Sequence, residues 1–235
     1  VVYDAQGLFS AARVWWMLKV MGARDVRVLD GGLPAWRAIG GGLETGPAEG
    51  AVRTPRPFET RFDPAPVADV EEVRQALTDG VQVVDARGAA RFRGEASEPR
   101  PGVRAGHMPG AVNLHEIFTF LATSTPEGYA ELRGKFAEAF GKAGLSGKET
   151  AVIYEQSMNT GFGQSCRGYF LLTFLGYPKI KVLHGGFEAW TAAGLPVTTE
   201  VPSPASVTFP MSDDAGDLII DAAAMLDAVS DPAVA

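Results

Sequence analysis

Apolar and polar positions follow one order twice along this chain. A short, solid apolar run leads into a polar, glycine-bearing loop. A longer apolar stretch at helical spacing comes next, then a second short run that closes on Gly-Gly. Short apolar runs bounded by turn residues read as buried strands, and stretches with apolar positions three and four apart read as helices. "VVYDAQGLFSAARVWWMLKVMGARDVRVLDGGLPAWRAIG" shows the order first, and "AVIYEQSMNTGFGQSCRGYFLLTFLGYPKIKVLHGGFEAWTAAG" repeats it. Between them, "VADVEEVRQALTDG" carries Val70, Val73 and Leu77 at helical spacing, with Gly80 as terminator. "VQVVDAR" is a short buried strand ending in an acid and a base. A loop punctuated by Pro and Gly then reaches a further short strand, and "YAELRGKFAEAFGKAGL" is an amphipathic helix. Alternating strands and helices with short connections predict an α/β fold, its mainly parallel central sheet flanked by helices on both faces.

The two copies align at one offset of 154 positions: Arg13 with Arg167, Gly22 with Gly176, Gly31-Gly32 with Gly185-Gly186, and Trp36 with Trp190. A Gly pair suits a turn that needs positive φ or close backbone approach. The Trp, one helical turn beyond it, is placed to pack back on the sheet. A duplication is therefore expected. Residues 1–47 read as the C-terminal part of a first unit, 48–57 as a linker, 58–200 as a complete second unit and 201–216 as a second linker. "DLIIDAAAMLDAVSDPAVA" resembles the opening of the complete unit, so residues 217–235 read as the start of a third. A first unit without its opening strands would leave a sheet edge open, and the strand in 217–235 is a candidate to fill it.

Composition narrows the chemistry. The 235 residues are 46% hydrophobic and 21% charged, ordinary for a globular chain with a full core. A net charge of −7 argues against nucleic acid as a partner. One cysteine excludes an intramolecular disulfide and a Cys-based zinc site, and no His/Asp/Glu spacing suggests another metal. No apolar run approaches the ~18 residues of a membrane span. The expectation is a cytoplasmic protein with no cofactor, no nucleic-acid or membrane partner, and an oligomeric state the sequence leaves open.

Several segments resemble the tandem rhodaneses, the thiosulfate and 3-mercaptopyruvate sulfurtransferases. "VVDARGAARFRGEASEPRPGVRAGHMPGAVNL" is similar to a stretch of their C-terminal domain, with "GHMPGA" and "VLHGGFEAW" resembling two family signatures. "FSAARVWWMLKVMGARDVRVLDGGLPAW" looks like the end of their usually non-catalytic N-terminal domain. The resemblance implies rhodanese-like units and transfer of sulfane sulfur from a small anionic donor, of the thiosulfate or mercaptopyruvate class, through a cysteine persulfide. That thiolate opens a loop between a strand and a helix, where backbone N–H groups and the helix N-terminus stabilise its charge. Arg91 and Arg100 fall where mercaptopyruvate-type enzymes place substrate arginines, and Gly161 and Gly163 lie in the anion-binding loop. His107 in GHMPGA is expected to brace its loop, and Gly185, Gly186 and Trp190 to be structural.

The catalytic position itself departs from the family. Tyr154 is followed by Glu155 rather than Cys, and Tyr3 of the first copy by Asp4. The loop after Glu155 is also longer than the six-residue rhodanese cradle. A carboxylate there would satisfy the loop's donors as a built-in substitute for the bound anion. Cys166, eleven positions on, has two open roles: a core residue, or a nucleophile aided by the helix start and Arg167. Three functional readings follow. The chain belongs to a sulfurtransferase whose visible units are non-catalytic, with any catalytic cysteine in a third domain beyond residue 235. Alternatively it is a binding or regulatory module for an anion or a protein. In the third reading it is an enzyme working through Cys166.

Overall fold

The computed structural model describes residues 1–46, 57–78, 81–98, 102–114, 117, 128–130, 132–157, 163–212 and 218–231. In chain order the described elements are α1 (Ala11–Val20), β1 (Val28–Leu29), α2 (Gly32–Ala38), β2 (Val67–Ala68), α3 (Val70–Ala76), β3 (Gln82–Asp85), α4 (Ala89–Phe92), β4 (Val112–Asn113) and α5 (Arg133–Lys142). They continue with β5 (Ala151–Tyr154), α6 (Gln164–Phe174), β6 (Ile180–Leu183), α7 (Gly186–Ala192), β7 (Ile219–Ile220) and α8 (Ala222–Ser230). Five strands form one parallel sheet in the order β2-β6-β5-β3-β4, and β1 pairs with β7 in a second, two-stranded parallel sheet.

Local chemistry sets the element ends. α3 starts where the Asp69 carboxylate accepts the Glu72 N–H at 2.8 Å, and Glu71 and Glu72 complement the positive end of the helix dipole. α5 stops at Gly144, whose φ of +80° lets Leu145 N–H return to the Phe140 carbonyl at 3.1 Å. Gly80, the terminator read from the sequence for α3, lies outside the described residues.

The five-stranded sheet is covered on both faces, and successive residues of each strand feed opposite cores. Val83, Val152, Tyr154 and Leu183 join Phe187 and Trp190 on one side. Val84, Ala151, Ile153 and Val182 join α6 and α1 on the other. There Trp15 meets Phe170 edge-on at 5.1 Å, so the equivalent helices of the two repeated segments pack directly against each other. The small sheet has less cover: Tyr3 is 55% exposed whereas Tyr154 is fully buried.

Of the stretches read as linkers, 48–57 is described only at residue 57, whereas the segment just after it and the second linker are both anchored. Arg61 N–H bonds Met21 O at 2.9 Å, and Asp63 N–H bonds Val20 O at 2.8 Å. Residues 201–212 form a strap along the larger unit. Val207 N–H bonds Gly141 O at 3.0 Å, Phe209 lies between Phe140 and Tyr177, and Ser212 N–H bonds Leu175 O at 2.9 Å. No described helix is long and apolar enough to cross a membrane.

Candidate functional site

The loop between β5 and α6 begins at Glu155, whose backbone position is fixed from across the sheet edge. Gly185 and Gly186 turn with φ of +77° and +59° and open α7. Phe187 N–H then bonds the Glu155 carbonyl at 2.8 Å, and Glu188 N–H bonds that of Gln156 at 3.1 Å. A Cβ on Gly186 would stand 2.5 Å from the Glu155 oxygen, so only glycine admits this approach. The sequence left the Gly pair to positive φ or close backbone approach; Gly186 has both, and its approach is to the first residue of the cradle.

The Glu155 side chain folds back into its own loop. It is 3% exposed, and its Oε2 accepts the N–H of Gln164, first residue of α6, at 2.7 Å. Burial pushes the carboxyl above its usual range. The Gln164 and Ser165 N–H groups, the Arg13 charge and the Ser165 hydroxyl oppose that shift. Oε1 has no hydrogen-bond partner among the described residues. A carboxyl group thus lies where a helix start offers its free N–H groups.

The first copy builds the same arrangement with a shorter acid. Asp4 Oδ2 accepts the N–H groups of Ser10 and Ala11, each at 2.8 Å, and Oδ1 accepts that of Gln6 at 3.0 Å. Leu33 N–H bonds the Asp4 carbonyl at 2.9 Å, and a Cβ on Gly32 would lie 2.5 Å from it. Asp4 bonds Ser10 N–H six positions on, whereas Glu155 bonds Gln164 N–H nine positions on, so the first loop is three residues shorter.

Each cradle also meets an arginine from the other helix. Arg167 on α6 is 4% exposed; it donates to Gln164 Oε1 at 2.8 Å and to Gly7 O, in the loop after Asp4, at 2.7 Å. Burial lowers its pKa to about 10, with the Asp4 charge acting in the opposite direction. Arg13 on α1 lies against Gly163, where a Cβ would stand 2.9 Å from its own, and its charge acts on Glu155. The sequence paired Arg13 with Arg167 by offset, gave Arg167 only a place beside Cys166 as an aid to its thiolate, and gave Arg13 no role. Equal position in two copies does not reveal that each reaches across to the other's loop.

The remaining sequence candidates divide. Cys166 is fully buried on α6, and burial first, then the Glu155 charge, push its thiol up to about 12. A thiol so held is un-ionised at neutral pH, which is the environment of a core cysteine. His107 is buried: Nδ1 faces Phe92 O at 2.7 Å, Nε2 faces Glu200 O at 3.0 Å, and the ring stacks on Phe92. Both ring nitrogens are engaged. Gly163 has φ +79° directly before α6, and Trp190 is buried with its Nε1 donating to Pro196 O at 2.8 Å. Arg91 Nη1 lies 3.7 Å from Glu98 Oε2, and its described ion pair is with that acid. Arg100 and Gly161 lie outside the described residues.

One buried network has no counterpart in the sequence reading beyond the acid and base ending a strand. Arg87, 1% exposed, bonds Asp85 Oδ2 at 2.5 Å, Glu98 Oε1 at 2.7 Å and Gly106 O at 2.7 Å, and its guanidinium lies 3.9 Å from the centre of the Phe187 ring. The Tyr154 hydroxyl donates to Asp85 Oδ2 at 2.5 Å. Tyr154 immediately precedes Glu155, so this network pins the strand end from which the cradle departs.

A family model for the rhodanese-like domain matches residues 69–193, more than half of the chain and the whole of the cradle. The chain belongs to the rhodanese-like family. Among curated proteins it is 37% identical over 201 residues to a 3-mercaptopyruvate sulfurtransferase of Escherichia coli (strain K12), covering 84% of this chain and 66% of that one. It is 44% identical over 194 residues to the Homo sapiens 3-mercaptopyruvate sulfurtransferase, covering 81% of this chain and 61% of that one. The crystal structure of SseA, a 3-mercaptopyruvate sulfurtransferase of Escherichia coli, superimposes with a TM-score of 0.60 at 32% identity, over 78% of this chain and 64% of that chain. The chain therefore spans somewhat less than two thirds of these relatives.

Proposed function

We propose that this chain is part of a sulfurtransferase of the 3-mercaptopyruvate type in which the Glu155 and Asp4 cradles carry no sulfur and serve as its scaffold. The relatives' names support the reaction type, with a small anionic donor of the thiosulfate or mercaptopyruvate class. The observation that carries the non-catalytic part is the buried Glu155 carboxylate on the Gln164 N–H. A carboxyl group cannot take up sulfane sulfur as a persulfide, and the Glu155 side chain already occupies the N–H group at the helix start that would receive an anionic donor. Recognition of another anion in the same cradle meets the same competition for the Gln164 N–H, which weighs against an anion-binding module. Arg91 remains a candidate for the donor's carboxylate, since a planar guanidinium matches it and this side chain keeps 30% exposure.

A cyanide-coupled sulfurtransferase assay with thiosulfate and with 3-mercaptopyruvate tests this reading. The parent chain is expected to be silent, Cys166→Ser to change nothing, and Glu155→Cys to gain turnover. Activity in the parent that disappears in Cys166→Ser would sink the reading and make the enlarged loop the sulfur-transfer site.

A further inference from the structure

The wall of the second cradle is not made by its own copy alone. Gly163, at φ +79°, opens α6 and stands directly before the Gln164 N–H that Glu155 accepts. Against it lies Arg13 from the first copy. A Cβ on Gly163 would stand 2.9 Å from Arg13 Cβ, 3.2 Å from its Cδ and 3.4 Å from its Cγ. The methylene stem of Arg13 therefore runs along the residue from which α6 starts, and a side chain at position 163 would displace it.

Arg13 is held there by the other cradle. The Asp4 carboxylate accepts the Ser10 and Ala11 N–H groups, each at 2.8 Å, and Ser10 O in turn accepts Arg13 N–H at 3.1 Å. The acid of the first loop thus fixes the turn of α1 that carries Arg13. Just beyond, Trp15 meets Phe170 edge-on and Trp16 meets Tyr169, with ring centres 5.1 and 6.4 Å apart. These contacts seat α1 on α6, so the position of Arg13 over Gly163 is set at both ends.

The other charged side chains near Glu155 are engaged by groups of their own. Arg167, on α6, directs its guanidinium to Gln164 Oε1 and Gly7 O. Glu188, on α7, accepts from Gln156 Nε2 at 3.3 Å. Arg87, behind Tyr154, is bound to Asp85 and Glu98. The Arg13 charge favours the ionised form of Glu155, and that of Cys166 in the first turn of α6 as well.

We propose that Arg13 is a positioning residue of the second cradle, supplied by the first copy and set in place by Asp4. The group at position 155 is then held by both copies together. This holds for the carboxyl as it stands, whether or not any part of the protein moves sulfur. It gives the first copy's acid a task beyond filling its own loop. By linkage, ionising Glu155 tightens the seat of α1 on α6 by the same free energy that this seat lends to the ionised carboxyl.

Carbon-13 NMR of the glutamate carboxyls in the full chain tests the proposal, with the Glu155 signal assigned by its loss in Glu155→Gln. At the pH of the parent's Glu155 midpoint, Arg13→Met should cut the ionised fraction at least about twofold, and Arg13→Lys should restore most of it. An unmoved fraction in Arg13→Met, or a lysine no better than the methionine, overturns the proposal. If Arg13→Met fails to fold, Arg13→Gln carries the same expectation. Asp4→Ala tests the placing by its sign. Loss of a negative charge alone favours the ionised Glu155, whereas a displaced Arg13 disfavours it. A lower ionised fraction upholds the placing by Asp4, and an equal or higher one overturns it. Asp4→Asn, which keeps one acceptor oxygen, gives the same comparison should the alanine variant not fold. No arm reads sulfurtransferase turnover, so failure here and failure in the cyanide-coupled assay are told apart.

Discussion

Gly186→Ala puts the cradle's geometry under a direct energetic test, with Gly194→Ala as its internal control. Both glycines have positive φ, +59° and +73°. An L side chain at such an angle costs roughly 1–2 kcal/mol. At Gly194 that is the whole cost, since a Cβ there would meet nothing within 4 Å. At Gly186 the new Cβ would stand 2.5 Å from Glu155 O and 2.9 Å from Gln156 O. The backbone must therefore separate, weakening the bonds from Phe187 N–H at 2.8 Å and Glu188 N–H at 3.1 Å. Two such bonds are worth about 1–3 kcal/mol together. The loss is therefore about 2–5 kcal/mol at Gly186 against about 1–2 kcal/mol at Gly194. Urea denaturation resolves the difference, because a slope of ~1–3 kcal/mol/M turns it into a midpoint shift on the order of 1 M. Equal midpoints for the two variants would refute the argument that Gly186 positions the Glu155 carbonyl.

Two further outcomes follow from the buried charges. Burial raises the Glu155 carboxyl above 4.5, so the folded chain holds that proton more tightly than the unfolded one. Its stabilising contribution is complete below pH 4.5 and is lost as pH rises through the folded value. Glu155→Gln removes this loss, so in denaturation series from about pH 4 to 7 the variant should gain on the parent as pH rises, and a pH-independent gap would count against the burial argument. Arg87→Met leaves the buried Asp85 and Glu98 carboxylates without their cation and should cost about 3–5 kcal/mol in chemical unfolding, partly recovered by adding Glu98→Gln.

The sequence carried the α/β order because its apolar runs are short, solid and bounded by Gly and Pro, which leaves few other ways to bury them. β5 and β6 lie where the runs before Glu155 and Gly185 placed them. The acid at the head of each cradle was legible as a substitution in an otherwise recognisable loop. What it bonds was not legible, because that depends on how far the loop carries the helix start. The two arginines that cross between cradles escaped for a different reason: a repeat offset shows equivalence within each copy and says nothing about contact between copies. Arg87 was visible only as the base after an acid at a strand end. Its burial depends on Glu98, Gly106 and Phe187 arriving from three other elements.

The pairing of β1 with β7 has a consequence in time. The partners are separated by about 190 residues of chain, and a ribosome adds roughly 5–20 residues per second, so a newly made β1 waits ~10–40 s for the strand that covers it. The larger unit lies wholly within that interval and can close first. The β1–β7 pairing is therefore made after the larger unit's core can already be in place.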